Sequence, residues 1–158
     1  MTHVYRFVAS LLLSLCLISG AWAERCQQVV ETLNASLSTP VVKTDQLAEV
    51  LNSLRTRGVL PKRYLSKQAA REVYGWQDGP VLWEGGFSTL RGRMLGGYGF
   101  RNSAGLLPRE VSWQVADLDY LHLGQRGAKR LIYAEGEPRR YLTVDHYRSF
   151  VLIPPCQD

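Results

Sequence analysis

VSWQVADLDYLHLGQRGAKRLIYAEGEPRRYLTVDHYRSFVLI, residues 111–153, decides the fold class. Val111, Trp113, Val115 and Ala116 begin a strand-like stretch that runs to about Tyr120. Leu131 to Ala134, Tyr141 to Val144 and Tyr147 to Ile153 read as further strands, rich in β-branched and aromatic residues. Gly124 and Gly127 punctuate one connection, and Gly136 and Pro138 the next. Upstream, from Trp76, glycines accumulate between short apolar runs. Further back still, the texture is helical. Leu47, Val50, Leu51 and Leu54 recur at i, i+3, i+4 and i+7, with Thr44 or Asp45 as a cap and Gly58 as a stop. Lys67 to Tyr74 fits another helix, with Ser66 as N-cap, Gly75 as the stop, and Ala69, Ala70 and Val73 on one side. Cys26, Val29, Val30 and Leu33 mark a first, short helix face. Helices first and strands afterwards predict an α+β domain, with N-terminal helices packed on a C-terminal antiparallel sheet.

A chain of 158 residues supplies one domain. Residues 1–23 read as a signal peptide: Arg6 is the positive n-region, Phe7 to Ile18 the apolar run, and Ala21-Trp22-Ala23 the small-x-small cleavage site. The rival is an uncleaved anchor, for which the run is short. The expected mature domain spans residues 24–158, secreted or periplasmic, and no later stretch is apolar enough to cross a membrane. Of three cysteines, Cys16 lies in the leader, which leaves Cys26 and Cys156. An exported chain with one remaining pair of thiols is expected to join them in a disulfide, metal binding being the alternative. Of the 19 Lys and Arg residues only Arg6 falls in the leader, leaving 18 against 14 Asp and Glu. That modest excess favours a polyanionic partner. No heptad or continuous apolar stripe implies self-association, so a monomer is expected.

The chemistry-bearing residues gather late in the chain. His146 sits in Asp145-His146-Tyr147, between two predicted strands. Arg126 and Arg130 lie four apart in a glycine-containing connection, where antiparallel pairing can bring them to one sheet face. Two guanidiniums and an imidazole suit phosphate esters. The arginines hold the phosphoryl oxygens, and the imidazole passes a proton near neutral pH.

Five motifs, in order from about Leu60 to Cys156, resemble the small secreted guanyl-preferring ribonucleases typified by barnase. Leu60-Pro61-Lys62-Arg63-Tyr64-Leu65-Ser66-Lys67 is similar to the segment bearing that family's active-site lysine. Gly96-Gly97-Tyr98-Gly99-Phe100-Arg101-Asn102, followed by Leu107-Pro108, resembles the guanine-recognition loop. Trp113 to Tyr120 looks like the first central strand, Arg126 to Tyr133 the arginine-bearing loop and strand, and Asp145 to Phe150 the histidine motif. The pairing of the terminal cysteines resembles the Streptomyces branch.

The resemblance implies an endoribonuclease that makes 2′,3′-cyclic phosphates without metal or other cofactor. It implies His146 as the acid, Lys67, Arg126 and Arg130 on the phosphate, and Phe100, Arg101, Asn102 and Tyr147 on the substrate. An acidic inhibitor protein is an implied partner besides RNA. The sequence departs from the family at the general base, where the expected glutamate is Val115. It departs again after Asn102, where Ser103 and Ala104 replace an arginine and a glutamate. Asp117, Asp119, Glu110 and His122 are the groups that would have to substitute for the base, Asp117 matching a position that pairs with the arginines. A non-catalytic RNA-binding or interaction module on the same fold is the other reading.

Overall fold

The computed structural model describes residues 25–157 except positions 40, 80 and 85. The expected leader at residues 1–23 lies outside the described residues. Three helices open the fold: α1 (Cys26–Ser36), α2 (Thr44–Arg57) and, after the short strand β1 (Tyr64–Leu65), α3 (Lys67–Tyr74). Helix α3 has the expected bounds. The Ser66 side chain accepts a hydrogen bond from the Ala69 N–H, and Gly75 closes the helix at φ 73°. Helix α2 likewise ends on left-handed Gly58, but its N-cap is Lys43 and no side chain caps it. Thr44 instead has its hydroxyl engaged by Asn34, which also bonds both backbone groups of Val42 and so ties α1 to the start of α2. Val73, expected on a buried face of α3, is 70% exposed; only Ala70 of that helix is buried.

The strands β2 (Met94–Gly99), β3 (Gln114–Asp117), β6 (Arg130–Tyr133), β7 (Arg140–Thr143) and β8 (Val151–Ile153) form a six-stranded sheet with β1 at its edge, in the order β1-β2-β3-β6-β7-β8. Every neighbouring pair is antiparallel except β1 with β2. Strands β4 (Leu121–His122) and β5 (Gln125–Arg126) make a separate hairpin in the connection between β3 and β6. The result is an α+β fold with a mostly antiparallel sheet.

Two expected strands are shorter than their composition suggested. The stretch 111–120 is extended only over Gln114–Asp117, and Tyr147–Ile153 only over its last three residues. Strand β2 went unread because glycine disfavours strands. Here glycine is needed: a Cβ on Gly96 would come within 2.5 Å of Tyr64 Cδ1. The register then slips between Gly96 and Tyr98, where Gly97 adopts φ 74°, a bulge that re-aims Tyr98.

One sheet face meets the helices. Val29, Val30 and Leu33 of α1 and Leu47, Val50, Leu51 and Leu54 of α2 pack with Leu95, Ala116, Leu131, Leu142 and Ile153 of the sheet. The opposite face carries a smaller apolar cluster of Leu107, Trp113, Val115 and Ile132, flanked by Phe100, Tyr141, Tyr147 and Phe150. Period-two alternation assigns the faces: Ala116 turns to the helices, while Val115 and Asp117 turn to the other side. The Cys26–Cys156 disulfide joins the first residue of α1 to the segment after β8. No described helix is long and apolar enough to cross a membrane.

Candidate functional site

The site is organised around Asp117, the last residue of β3. Its carboxylate is fully buried and two strands deliver cations to it. Arg130, the first residue of β6, lies directly opposite in register, with Nε 3.0 Å from Asp117 Oδ1. Arg126, in β5, donates from Nε to Oδ2 at 2.5 Å and from Nη2 to Oδ1 at 2.8 Å. A carboxylate can leave water only against charge and hydrogen bonds of this kind. Asp117 is therefore a clamp for the two arginines and has no oxygen to spare for other chemistry.

Tyr98 closes the arrangement. Its hydroxyl donates to Asp117 Oδ1 at 2.8 Å and accepts from Arg126 Nη2 at 2.5 Å. Lys67 Nζ lies 4.4 Å from the Tyr98 ring centroid, and Arg126 Cζ lies 5.6 Å from it. Both are cation–π distances. Burial and the Asp117 charge push the Tyr98 phenol upward, so it stays protonated. Burial works against the Arg126 charge, but hydrogen bonds and attraction from Asp117 outweigh it and raise its pKa further. Burial and then Arg126 push the Lys67 ammonium below its ordinary value, against the pull of Asp117 and Asp78. Its place as first residue of α3, at the positive end of the helix dipole, acts in the same direction.

His146 stands on the loop between β7 and β8, near enough to Arg130, Arg126 and Asp117 to feel their charges. Asp145 shapes that loop: it accepts from Thr143 Oγ1 at 2.9 Å, Arg148 N at 3.1 Å, and Ser149 N and Oγ at 3.0 and 2.6 Å. Thr143 Oγ1 in turn accepts from Tyr147 N at 3.0 Å. These bonds hold His146 and Tyr147 at φ 57° and 71°, a conformation that non-glycine residues adopt only under such constraint. The expected strand through Tyr147 is thus a tight turn, and His146 is exposed on it. Partial loss of water on one side of the ring, then Arg130, Arg126 and Arg148, lower the imidazole pKa, with Asp117 opposing.

Lys67 on one side and His146 on the other each feel the charges of Arg126 and Asp117, and His146 that of Arg130 as well. Tyr147 stacks on Phe100, with centroids 5.2 Å apart and planes 26° apart, and Phe150 meets Phe100 edge-on at 5.7 Å. Arg101 is exposed on the adjoining loop. Asn102 spends its side chain inside that loop, donating to Leu107 O at 2.6 Å and accepting from Leu107 N at 3.2 Å. Its side chain shapes the loop, and only the backbone it positions remains for a ligand.

The other groups weighed as a base stand elsewhere. Asp119 leaves the strand at φ 44° and binds Lys129 at 2.7 Å and the N–H of Lys43 at 3.1 Å. Glu110 is exposed, 3.8 Å from Arg139. His122 pairs with Gln125 in the small hairpin while Leu121 pairs with Arg126, so His122 and Arg126 take opposite faces. It lines a cleft of about 350 Å³ with Lys43, Asp119 and Lys129. Val115 itself is 1% exposed among Leu107, Trp113 and Ile132.

Sequence reasoning quoted Tyr98 within a motif without giving it a role. Its signal was an aromatic residue inside a glycine run, which becomes informative only once the bulge fixes its direction. Among the described residues, no three His, Cys, Asp or Glu side chains gather as a metal-ligating group. Compared with known proteins, the chain matches no family model and no curated sequence.

Proposed function

We propose that this chain is a slow endoribonuclease of the barnase-like kind, exported, and acting on single-stranded RNA. The observation that carries the reading is the Asp117-anchored arginine pair, set beside Lys67 and within the field of His146. A phosphodiester bound here meets Arg126 first. Its side chain is 24% exposed, and Nη1 is the nitrogen that Asp117 and Tyr98 leave unengaged. Arg130, 3% exposed, contributes positive field from beneath. As the ribose 2′-oxygen attacks phosphorus, charge grows on the phosphoryl oxygens, and fixed cations stabilise it without reorganising. His146 gives its proton to the departing 5′-oxygen, leaving a 2′,3′-cyclic phosphate and a free 5′-hydroxyl. Without a carboxylate at position 115, the rate falls by roughly 10²–10⁴-fold, the usual contribution of a positioned base.

One observation favours a second reading, RNA binding without cleavage: Val115 is sealed into an apolar cluster where a base would stand. Incubating the oxidised protein with RNA in EDTA, beside His146→Ala, separates the two. Cyclic-phosphate ends above the variant control support the ribonuclease. RNA retention with no cleavage at high protein concentration leaves only the binding module.

A further inference from the structure

We propose that Lys67, rather than any carboxylate, takes the proton from the ribose 2′-hydroxyl. The inference rests on the ribonuclease reading and supplies the partner that His146 lacks. It follows by going around the cluster. Asp117 has both oxygens committed to Arg126, Arg130 and Tyr98. The phenol of Tyr98 is held protonated, and the guanidiniums do not give up protons. Beside His146, this leaves Lys67.

The geometry suits it. The amine rests 4.4 Å from the Tyr98 ring centroid, on the ring that Arg126 also faces; the ring attracts the charged form but offers no acceptor to hold an N–H. Among the described residues it makes no ion pair. The charged groups around it are Arg71 on its own helix, Asp78 beyond that helix, Asp117 on β3 and Arg126 on β5. Asp78 is held by both Nε and Nη2 of Arg71 at 2.7 Å, which spends much of its charge. Burial and Arg126 favour the neutral amine, the form with a lone pair to offer.

In the step itself, the Nζ lone pair removes the 2′-hydroxyl proton and the 2′-oxygen forms its bond to phosphorus. The bond from phosphorus to the 5′-oxygen breaks, and that oxygen takes the proton of His146. The enzyme ends with a charged Lys67 and a neutral His146, and solvent restores the starting state. The productive form pairs a neutral amine with a charged imidazole, the reverse of the order in which these groups lose protons. It is a minor population at every pH, which is why turnover is slow where a lysine serves in place of a carboxylate.

Lys67→Arg keeps the positive charge but cannot act as a base. Cleavage by this variant is expected to fall by about 100-fold or more. Undiminished cleavage by Lys67→Arg overturns the assignment and leaves Lys67 as a phosphate-binding cation. RNA with sulfur at the bridging 5′ position, which needs no acid, is expected to rescue His146→Ala and not Lys67→Arg. Rescue of Lys67→Arg instead exchanges the roles of the two residues and refutes the proposal. An NMR titration of the Lys67 ammonium gives a readout without RNA: a value no lower than that of an ordinary lysine also overturns it. Absence of cleavage by the wild type removes the ribonuclease reading itself, and this inference with it.

Discussion

At the scale of single residues, Asp117 is the position on which the site depends. Asp117→Asn keeps the shape but strands Arg130, whose side chain is 3% exposed, without its counter-charge. Breaking a buried pair from one side costs about 3–5 kcal/mol, and urea unfolding of the variant should show a loss of that size. A change within the ordinary range of surface substitutions would mean that water reaches Arg130. His146 offers a gentler measurement. Arg148 is exposed on the same loop and helps hold the imidazole below its ordinary value. Arg148→Ala should therefore move the His146 titration upward, toward about 6.5, as followed by NMR of the ring. An unmoved titration would locate the depression in burial and the two site arginines alone. Asp117 was legible in the sequence only through the ribonuclease resemblance, which matches it to a position that pairs with the arginines. Val115 was legible too, as the hydrophobic residue standing where the same resemblance expects a glutamate.

At the scale of elements, the turn that carries His146 is held by one side chain. Asp145 collects four hydrogen bonds from Thr143, Arg148 and Ser149, much as an N-cap collects the free N–H groups of a helix. Asp145→Ala should cost about 1–2 kcal/mol, the range for losing such a cap. It should also disturb His146, because the left-handed backbone at 146 and 147 loses its support. The pH dependence has a definite sign. Burial disfavours the Asp145 carboxylate, but the bonds from Ser149, Thr143 and Arg148 outweigh it and place its folded-state pKa below the ordinary value. A depressed carboxylate contributes fully above its unfolded pKa of about 3.9, and the contribution disappears as pH falls through the lowered value. The gap between wild type and Asp145→Ala should accordingly close in acid; a gap that persists there would assign the cost to packing. Elements with local punctuation could be read in advance. Helix α3 had Ser66 before it and Gly75 after it, and both act as expected. Strand β2 could not be read, since its glycines become a strand only through the approach of Tyr64 and Leu60. Residues 147–149 resembled the start of a strand in composition, and only the capture of four donors by Asp145 draws them into the turn at 145 and 146.

At the scale of the whole molecule, the disulfide and the site lie on separate structures. The bridge ties α1 to the end of the chain on the helix-covered side, across a separation of 130 residues. The arginine cluster stands on the opposite sheet face, anchored in β3, β5 and β6. Closing a loop of that length removes conformational entropy from the unfolded chain worth about 5 kcal/mol in the chain-entropy model. A domain of ordinary size has only about 5–15 kcal/mol in all, so the bridge is a large share of what keeps this one folded. Cys26 and Cys156 are both buried, and replacing them with alanine removes the crosslink while changing the core by little more than two sulfur atoms. The paired Cys26→Ala, Cys156→Ala variant should unfold at much lower urea concentration, with a loss near the chain-entropy value. Below its transition, however, the His146 titration should match that of the wild type, because the bonds that hold the 145–149 turn run among Thr143, Asp145, Tyr147, Arg148 and Ser149, and those of the arginine cluster among Asp117, Tyr98 and Arg126. A shifted His146 in the folded variant would mean that the crosslink acts through β8 on the 145–149 turn. The two faces would then be one mechanical unit.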